Sequence, residues 1–426
     1  MKFLKKLTEI FLLAFVFLLP WQTKLILYPA VDNFTEISLY LSHGFLILSI
    51  FTFFIYQLKY KGRLEKAALI WYFLGGLEVF VLISFFFASN KFIAAYHYFI
   101  LLLGFGIFYL LREGFKKAAY EDSCLNRGRA ILAFLFSMFL QSILGIYQFL
   151  KQSSFSSKFL GLAEHNSQFL GSSVVETFSG RWLRAYGGMD HPNIFGGVLV
   201  FVLLLTAFLL ASKKLINSQL EKWIILLLFL GYFISLTALF FTFSRAAWLA
   251  FVIGLGILTL LIFYEKDKLV FKRLLALIFF SAGLFLLAAW PYQEIVTTRI
   301  TASSRLEKIS INERHEQLDL ASKIIQKNPL FGVGRGNYLE VTDNQGNKIV
   351  PNRQPVHNSF LLIFAESGLF SLLSVLGIFW FFIRNKKRQA LALSVVAALI
   401  ILMMLDHWLI SLPFGVLFFF FILGVI

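Results

Sequence analysis

The chain has 426 residues, of which 59% are hydrophobic, 18% aromatic and only 15% charged, with a formal net charge of +16. A soluble domain carries about 45–50% apolar and about 25% charged residues, so a soluble multidomain enzyme is excluded; the 53 phenylalanines equally exclude a disordered chain, which lacks the apolar surface to fold. The lone cysteine, Cys124, permits no internal disulfide and no cysteine-based metal site.

The composition is that of a membrane protein. A bilayer core about 30 Å thick needs about 20 apolar residues per helix. Twelve stretches fit, at 7–23, 36–57, 67–88, 92–111, 130–150, 194–212, 223–241, 246–264, 274–290, 357–383, 390–410 and 413–426. The first follows Met1-Lys2-Phe3-Leu4-Lys5-Lys6 and runs into Pro20-Trp21-Gln22, where a signal peptide would carry small residues; it reads as a retained helix. With the N-terminus in the cytoplasm, alternate connections hold Lys59, Lys61, Arg63 and Lys66; Arg112, Lys116, Lys117, Arg127 and Arg129; Lys213, Lys214 and Lys222; Lys266, Lys268, Lys272 and Arg273; and Arg384, Lys386, Lys387 and Arg388. The opposite short turns hold almost none, which is the positive-inside pattern. Both termini are therefore expected in the cytoplasm. Nearly the whole positive surplus falls on the cytoplasmic segments, which leaves no case for a nucleic-acid partner.

Two outward segments are long. Residues 151–193 begin serine-rich and end in Arg181-Trp182-Leu183-Arg184-Ala185-Tyr186-Gly187-Gly188-Met189-Asp190-His191-Pro192-Asn193. Residues 291–356 are too many for an unstructured connector. There Ser310-Ile311-Asn312-Glu313 reads as a capping box, Leu318, Ala321, Ile324 and Ile325 share a helical face, and Asn328-Pro329 stops the helix. An amphipathic helix is predicted at 311–327. The chain divides into helices 1–9 with their periplasmic loop (1–290), a periplasmic subdomain (291–356) and helices 10–12 (357–426).

Outward arginines are the candidates for chemistry, because a guanidinium is always charged and grips phosphate oxygens in pairs. Arg184 precedes the sixth helix, Arg245 sits in the turn Thr242-Phe243-Ser244-Arg245-Ala246-Ala247-Trp248, Arg314 lies in the first turn of the predicted outer helix, and Arg335 follows Phe331-Gly332-Val333-Gly334. Each could instead snorkel to headgroups or pair with an acid, least readily Arg245, whose hairpin lies between two apolar helices. His357, in Pro355-Val356-His357-Asn358-Ser359, is either a general base or a helix cap. His191 reads as part of the turn that starts helix six. No Walker-type phosphate loop, His-Glu-x-x-His or Gly-x-Ser-x-Gly occurs. The intramembrane acids Glu78, Glu366 and Asp406 are few for an ion-coupled transporter.

Together Arg184 with His191-Pro192-Asn193, the Ser244-Arg245-Ala246-Ala247-Trp248 turn, Glu313-Arg314, Asn328-Pro329-Leu330-Phe331-Gly332-Val333-Gly334 and His357-Asn358-Ser359 resemble the O-antigen ligase and polymerase superfamily over residues 180–380. Its Arg-x-x-x-Leu pattern falls on Arg314 to Leu318. Its His-Asn-x9-Gly-x-x-Gly pattern falls on His357, Asn358 and Gly368, with Ser371 in place of the last glycine. The resemblance implies an all-α integral membrane protein, a GT-C-type glycosyltransferase in the bacterial inner membrane. It would transfer a glycan from undecaprenyl diphosphate to a sugar hydroxyl of lipid A-core on the periplasmic face. The end of the chain at Ile426 favours the ligase branch over protein-glycosylating relatives with longer C-terminal regions.

The residues agree with that implication. Diphosphate is a good leaving group that needs cationic stabilisation more than a protonating acid, so no metal or other cofactor is expected. Arg184, Arg245 and Arg314 are expected to hold the diphosphate, with His357 as base and Arg245 and Arg314 acting in catalysis; His191, Arg335 and Asn358 are weaker candidates. Membrane lipids complete the partners. The rival readings are an O-antigen polymerase using the same donor and a multispanning solute transporter.

Overall fold

The computed structural model describes residues 2–29, 34–59, 69–115, 125–212, 219–302, 304–342, 348, 350, 354–384 and 389–426. Cys124 and the basic residues Lys61, Arg63, Lys66, Lys116, Lys117, Lys213, Lys214, Lys386, Lys387 and Arg388 lie outside them.

A backbone in lipid must satisfy its own polar groups, so apolar segments become helices. In chain order these are α1 (Lys2–Leu18), α2 (Leu41–Lys59), α3 (Leu69–Phe85), α4 (Lys91–Gly114), α5 (Arg127–Lys151), α6 (Pro192–Ala211), α7 (Gln219–Phe241), α8 (Arg245–Tyr264) and α9 (Lys268–Ala289). After them come α10 (Gln293–Thr301), α11 (Arg305–Lys327), α12 (Ser359–Arg384), α13 (Gln389–Leu405), α14 (Trp408–Ser411) and α15 (Pro413–Val425). Among the described residues eight helices are long and apolar enough to cross a membrane: α2, α4, α5, α6, α7, α8, α9 and α12. The apolar α3, α13 and α15 are shorter. The centre is α6, buried along its length, joined by α15, whose run Phe418–Phe421 is fully covered. Close approach is made by small residues, as membrane helices require: a Cβ at Gly104 of α4 would strike the Phe420 ring. On the periphery α9 leaves Phe279, Leu286 and Leu287 about three-quarters exposed, a lipid-facing surface.

Several expectations are corrected. The all-α membrane class stands, and two short hairpins are added to it: β1 (Lys24–Tyr28) pairs antiparallel with β2 (Ile37–Tyr40), and β3 (Val174–Thr177) with β4 (Gly180–Leu183). Helix 7–23 becomes 2–18, and helix 36–57 starts only at Leu41, because the preceding residues join a sheet. The stretch 390–410 stops at Leu405, after which Asp406-His407 lead into the short α14. The capping box at Ser310–Glu313 is wrong. Ser304 is the extended N-cap, its hydroxyl accepting from the Glu307 N–H, so α11 begins six residues before 311 and Arg314 lies mid-helix. The buried face is Gln317, Ala321 and Ile324, while Leu318 is exposed.

α12 is broken at Gly368, whose φ of 79° is open only to glycine without strain. Into the break fits the loop from Pro329 to Gly336. The Leu369 N–H donates to the Pro329 carbonyl, and the N–H groups of Val333 and Gly334 donate to the carbonyls of Ala365 and Glu366. A Cβ at Gly368 would collide with the Leu330 carbonyl, and one at Gly332 with that of Glu366. This contact ties the segment that follows α11 to α12, which carries His357 at its start.

Candidate active site

The turn between α7 and α8 is built for cations. Helix C-termini present unpaired carbonyls and the negative end of the helix dipole. Here Arg184 Nε donates to the Thr242 carbonyl at 2.7 Å and Arg299 Nε to the Phe243 carbonyl at 2.9 Å. Phe243 has a φ of 45°, which turns the chain so that Arg245 opens α8. The Arg245 guanidinium donates to Glu307 Oε2 at 2.8 Å and to the Arg299 carbonyl at 3.1 Å. Glu307, almost fully buried, also pairs with Arg299. One carboxylate thus stands between two guanidiniums, an arrangement that keeps buried charge compensated.

Arg184 is buried and fully occupied. Besides Thr242 it donates to Ser173 Oγ at 2.9 Å and to Asn193 Oδ1 at 2.7 Å. Asn193 in turn donates to Asp406 Oδ2 at 3.3 Å. The Asp406 Oδ1 atom accepts from the His407 N–H at 2.7 Å and lies 3.6 Å from His357 Nδ1. A chain therefore runs from Arg184 through Asn193 and Asp406 to His357, across three segments far apart in sequence.

His357 is placed by the junction of α12 with α13. Asn358 caps α12, its Oδ1 accepting from the N–H groups of Phe360 and Leu361, while its Nδ2 donates to the Met404 carbonyl. The Ser359 N–H and hydroxyl both donate to the Asp406 carbonyl. With Asn358 as the cap, the cap reading of His357 falls away: its side chain is 23% exposed and its buried Nδ1 has no hydrogen-bond partner. The His407 ring lies 5.0 Å from it, with Nδ1 2.7 Å from Ser411 Oγ.

Arg314 differs from the other arginines. Its Nε is buried without a hydrogen-bond partner, and no acid among the described residues pairs with it. It stands within electrostatic reach of both Arg299 and His407. Glu307 is shared between Arg245 and Arg299, and Arg184 reaches Asp406 only through Asn193. Burial lowers His407 to about 4 and His191 to about 3, which keeps both rings neutral at physiological pH. Burial would raise Asp406, but the histidines around it, His357 foremost with His407 and His191, together hold it well below the carboxylate range.

Two weaker candidates are engaged in contacts within the fold. His191 caps α6, its Nδ1 accepting from the Asn193 N–H at 3.1 Å, which orients Asn193 toward Asp406. Arg335 pairs with Glu366 at 3.0 Å and donates to the Ile410 carbonyl at 2.5 Å; it stands apart from the other arginines and supports the α14 turn beneath His407. Arg299, Glu307, Asp406 and His407 are the members that sequence reasoning missed. The signal for Glu307 was the capping box Ser304-Arg305-Leu306-Glu307, and that for Asp406 was an acid at the edge of an apolar helix. His357, Asp406 and His407 each offer a ligand atom, all within 4.8 Å of one another, so this trio has the donor set for a metal ion.

No curated protein matches the chain. Residues 230–376, from α7 into α12, match the family model described as O-antigen ligase; the match includes Arg245, Arg299, Glu307, Arg314 and His357, and Asp406 lies beyond it. That match covers about a third of the chain and supports its resemblance to the O-antigen ligase and polymerase superfamily.

Proposed function

We propose that this protein is an O-antigen ligase, a GT-C-type glycosyltransferase of the bacterial inner membrane. It moves a glycan from undecaprenyl diphosphate to a sugar hydroxyl of lipid A-core at the periplasmic face. The observation that carries the reading is Arg314, without an acid partner among the described residues and within electrostatic reach of His407, whose ring lies 5.0 Å from His357, a histidine whose Nδ1 faces the buried Asp406 carboxylate.

Asp406 fixes the tautomer of His357. With the proton on Nδ1 directed at Asp406, Nε2 is the free acceptor. The 3.6 Å separation is long for a hydrogen bond, and such contacts tighten when substrate binds. As the acceptor oxygen attacks the anomeric carbon, its proton passes to His357 Nε2 and the bond from that carbon to the diphosphate oxygen breaks. The diphosphate leaves with the electron pair. Arg314 and the exposed part of Arg245 meet the growing negative charge, the electrostatic work that gives most of the rate in such sites. Asp406 stabilises the imidazolium formed, and Arg184 acts through Asn193 to hold Asp406. The metal-free reading rests on the diphosphate being met by guanidiniums, while Asp406 is already engaged by Asn193 and the His407 N–H.

Reconstitution in vesicles with a carrier-linked glycan tests the proposal. Glycosylated lipid A-core is the expected product. Lengthened glycan that stays on the carrier would move the protein to the polymerase branch, which shares the same donor. Solute uptake unaffected by Arg314→Ala and His357→Ala would overturn the transferase reading.

A further inference from the structure

The β1–β2 hairpin joins the ends of α1 and α2 on the side of the molecule that carries His357. Phe34, in the same connection, meets the His407 ring edge-on at 5.3 Å, and Gln22 and Tyr40 line a cleft with Met189 and Asp190, next to His191. In β1 the sequence is Lys24-Leu25-Ile26-Leu27-Tyr28, and Leu25, Ile26, Leu27 and Tyr28 are 63%, 49%, 60% and 62% exposed. Successive residues of a strand point to opposite faces. Both faces of β1 are therefore apolar and uncovered, whereas a hairpin standing in water keeps one face polar.

A second segment extends this surface. The Thr23 hydroxyl donates to the Phe159 carbonyl at 2.7 Å, and Gly161 packs directly on the backbone of Gln22 and Thr23. That seats Phe159, 91% exposed, beside the hairpin, with Lys158 exposed next to it. β2 runs directly into α2 at Leu41, and Leu41, Leu48 and Phe51 of that helix are also exposed.

We propose that the β1–β2 hairpin and the Phe159–Leu160 loop form a membrane-contact surface, dipping their apolar side chains into the lipid leaflet on the side of the candidate active site. Continuity with α2, a helix long and apolar enough to span, selects lipid as the occupant. The outer edge of β1 has unpaired backbone groups, which cannot be satisfied in hydrocarbon; the strand therefore lies at headgroup level with only side chains entering the acyl region. Tyr28 then sits where interfacial aromatic rings are favoured and Lys158 among lipid phosphates. The anchor sets the depth of the reaction site in the bilayer, and it does not depend on the identity of the reaction.

The test uses full-length protein in vesicles of phosphatidylethanolamine and phosphatidylglycerol. In a Cys124→Ser background, Ile26→Cys and Phe159→Cys are each labelled with an environment-sensitive fluorophore, with Phe54→Cys on α2 as the lipid reference and Gln168→Cys as the water reference. The expected result is a blue-shifted emission at both sites, quenched by lipids carrying a nitroxide near the headgroup and several-fold less sensitive to aqueous iodide than position 168. Iodide quenching equal to that of position 168, without lipid-borne quenching, would overturn the proposal and point to a protein partner. Unmodified protein gives a second readout. Photoreactive lipids should crosslink to residues 24–28 and 158–160, and their failure to do so while labelling α2 contradicts the anchor.

Discussion

His357 Nδ1 lies 3.6 Å from Asp406 Oδ1, although 49 positions separate the two residues in the chain. The Ser359 N–H and hydroxyl, both donating to the Asp406 carbonyl, hold the start of α12 against the end of α13. The pair is therefore a consequence of how two apolar helices end.

His357→Ala is expected to lower the transfer rate by about 10²- to 10⁴-fold, the usual contribution of a positioned base. Asp406→Asn keeps an oxygen for Asn193 but loses the charge that orients and stabilises the imidazolium. It should lower the rate with little change in donor affinity. Steady-state kinetics separate the two, and an Asp406→Asn protein of unchanged rate would remove the pair from the mechanism.

Arg314 and Glu307 should behave oppositely. Arg314→Ala removes a side chain with no acid or hydrogen-bond partner among the described residues, so thermal unfolding is expected to change little while transfer falls by about 10²-fold or more, the scale of a lost charge-stabilising group. Glu307→Gln leaves two guanidiniums uncompensated and should destabilise the fold by about 3–5 kcal/mol. Denaturation in detergent checks both, and an Arg314→Ala protein that unfolds as readily as Glu307→Gln would make Arg314 structural.

These residues also show what could be read from sequence. The apolar stretches were legible because hydropathy acts locally, and Arg245, Arg314 and His357 because charges beside apolar helices are conspicuous. Glu307 was not, since Ser304-x-x-Glu307 and Ser310-x-x-Glu313 are equally good capping boxes and only packing chooses between them. Asp406 looked like a lone intramembrane acid until α13 ended one residue earlier. β1 gave no strand signal because its apolar run does not alternate.

Gly368→Ala is expected to cost about 1–3 kcal/mol, the scale of a side chain forced into a disallowed backbone region, with more from the collision with the Leu330 carbonyl. Ser371, where the family pattern has glycine, donates to the Ser367 carbonyl. Ser371→Gly should be nearly neutral, and equal effects of the two changes in thermal unfolding would contradict the broken helix.

Acid should weaken the fold. His191 and His407 are held down to about 3 and about 4 by burial, whereas an unfolded histidine titrates near 6.5. As pH falls below about 6.5 the unfolded chain takes up protons that the folded one refuses, so stability declines until the folded values are reached. Melting temperature should fall between pH 7 and 4. His191→Asn, which keeps an acceptor for the Asn193 N–H, should flatten that slope; an unchanged slope would place the titration elsewhere.

The most direct test of the central claim is transfer by the purified protein in vesicles, in the presence of a chelator, from a carrier-linked glycan to lipid A-core. The account predicts glycosylated lipid A-core from the unmodified protein and almost none from His357→Ala. Transfer that stops on chelation and returns with added metal, or that is untouched by His357→Ala, would contradict it.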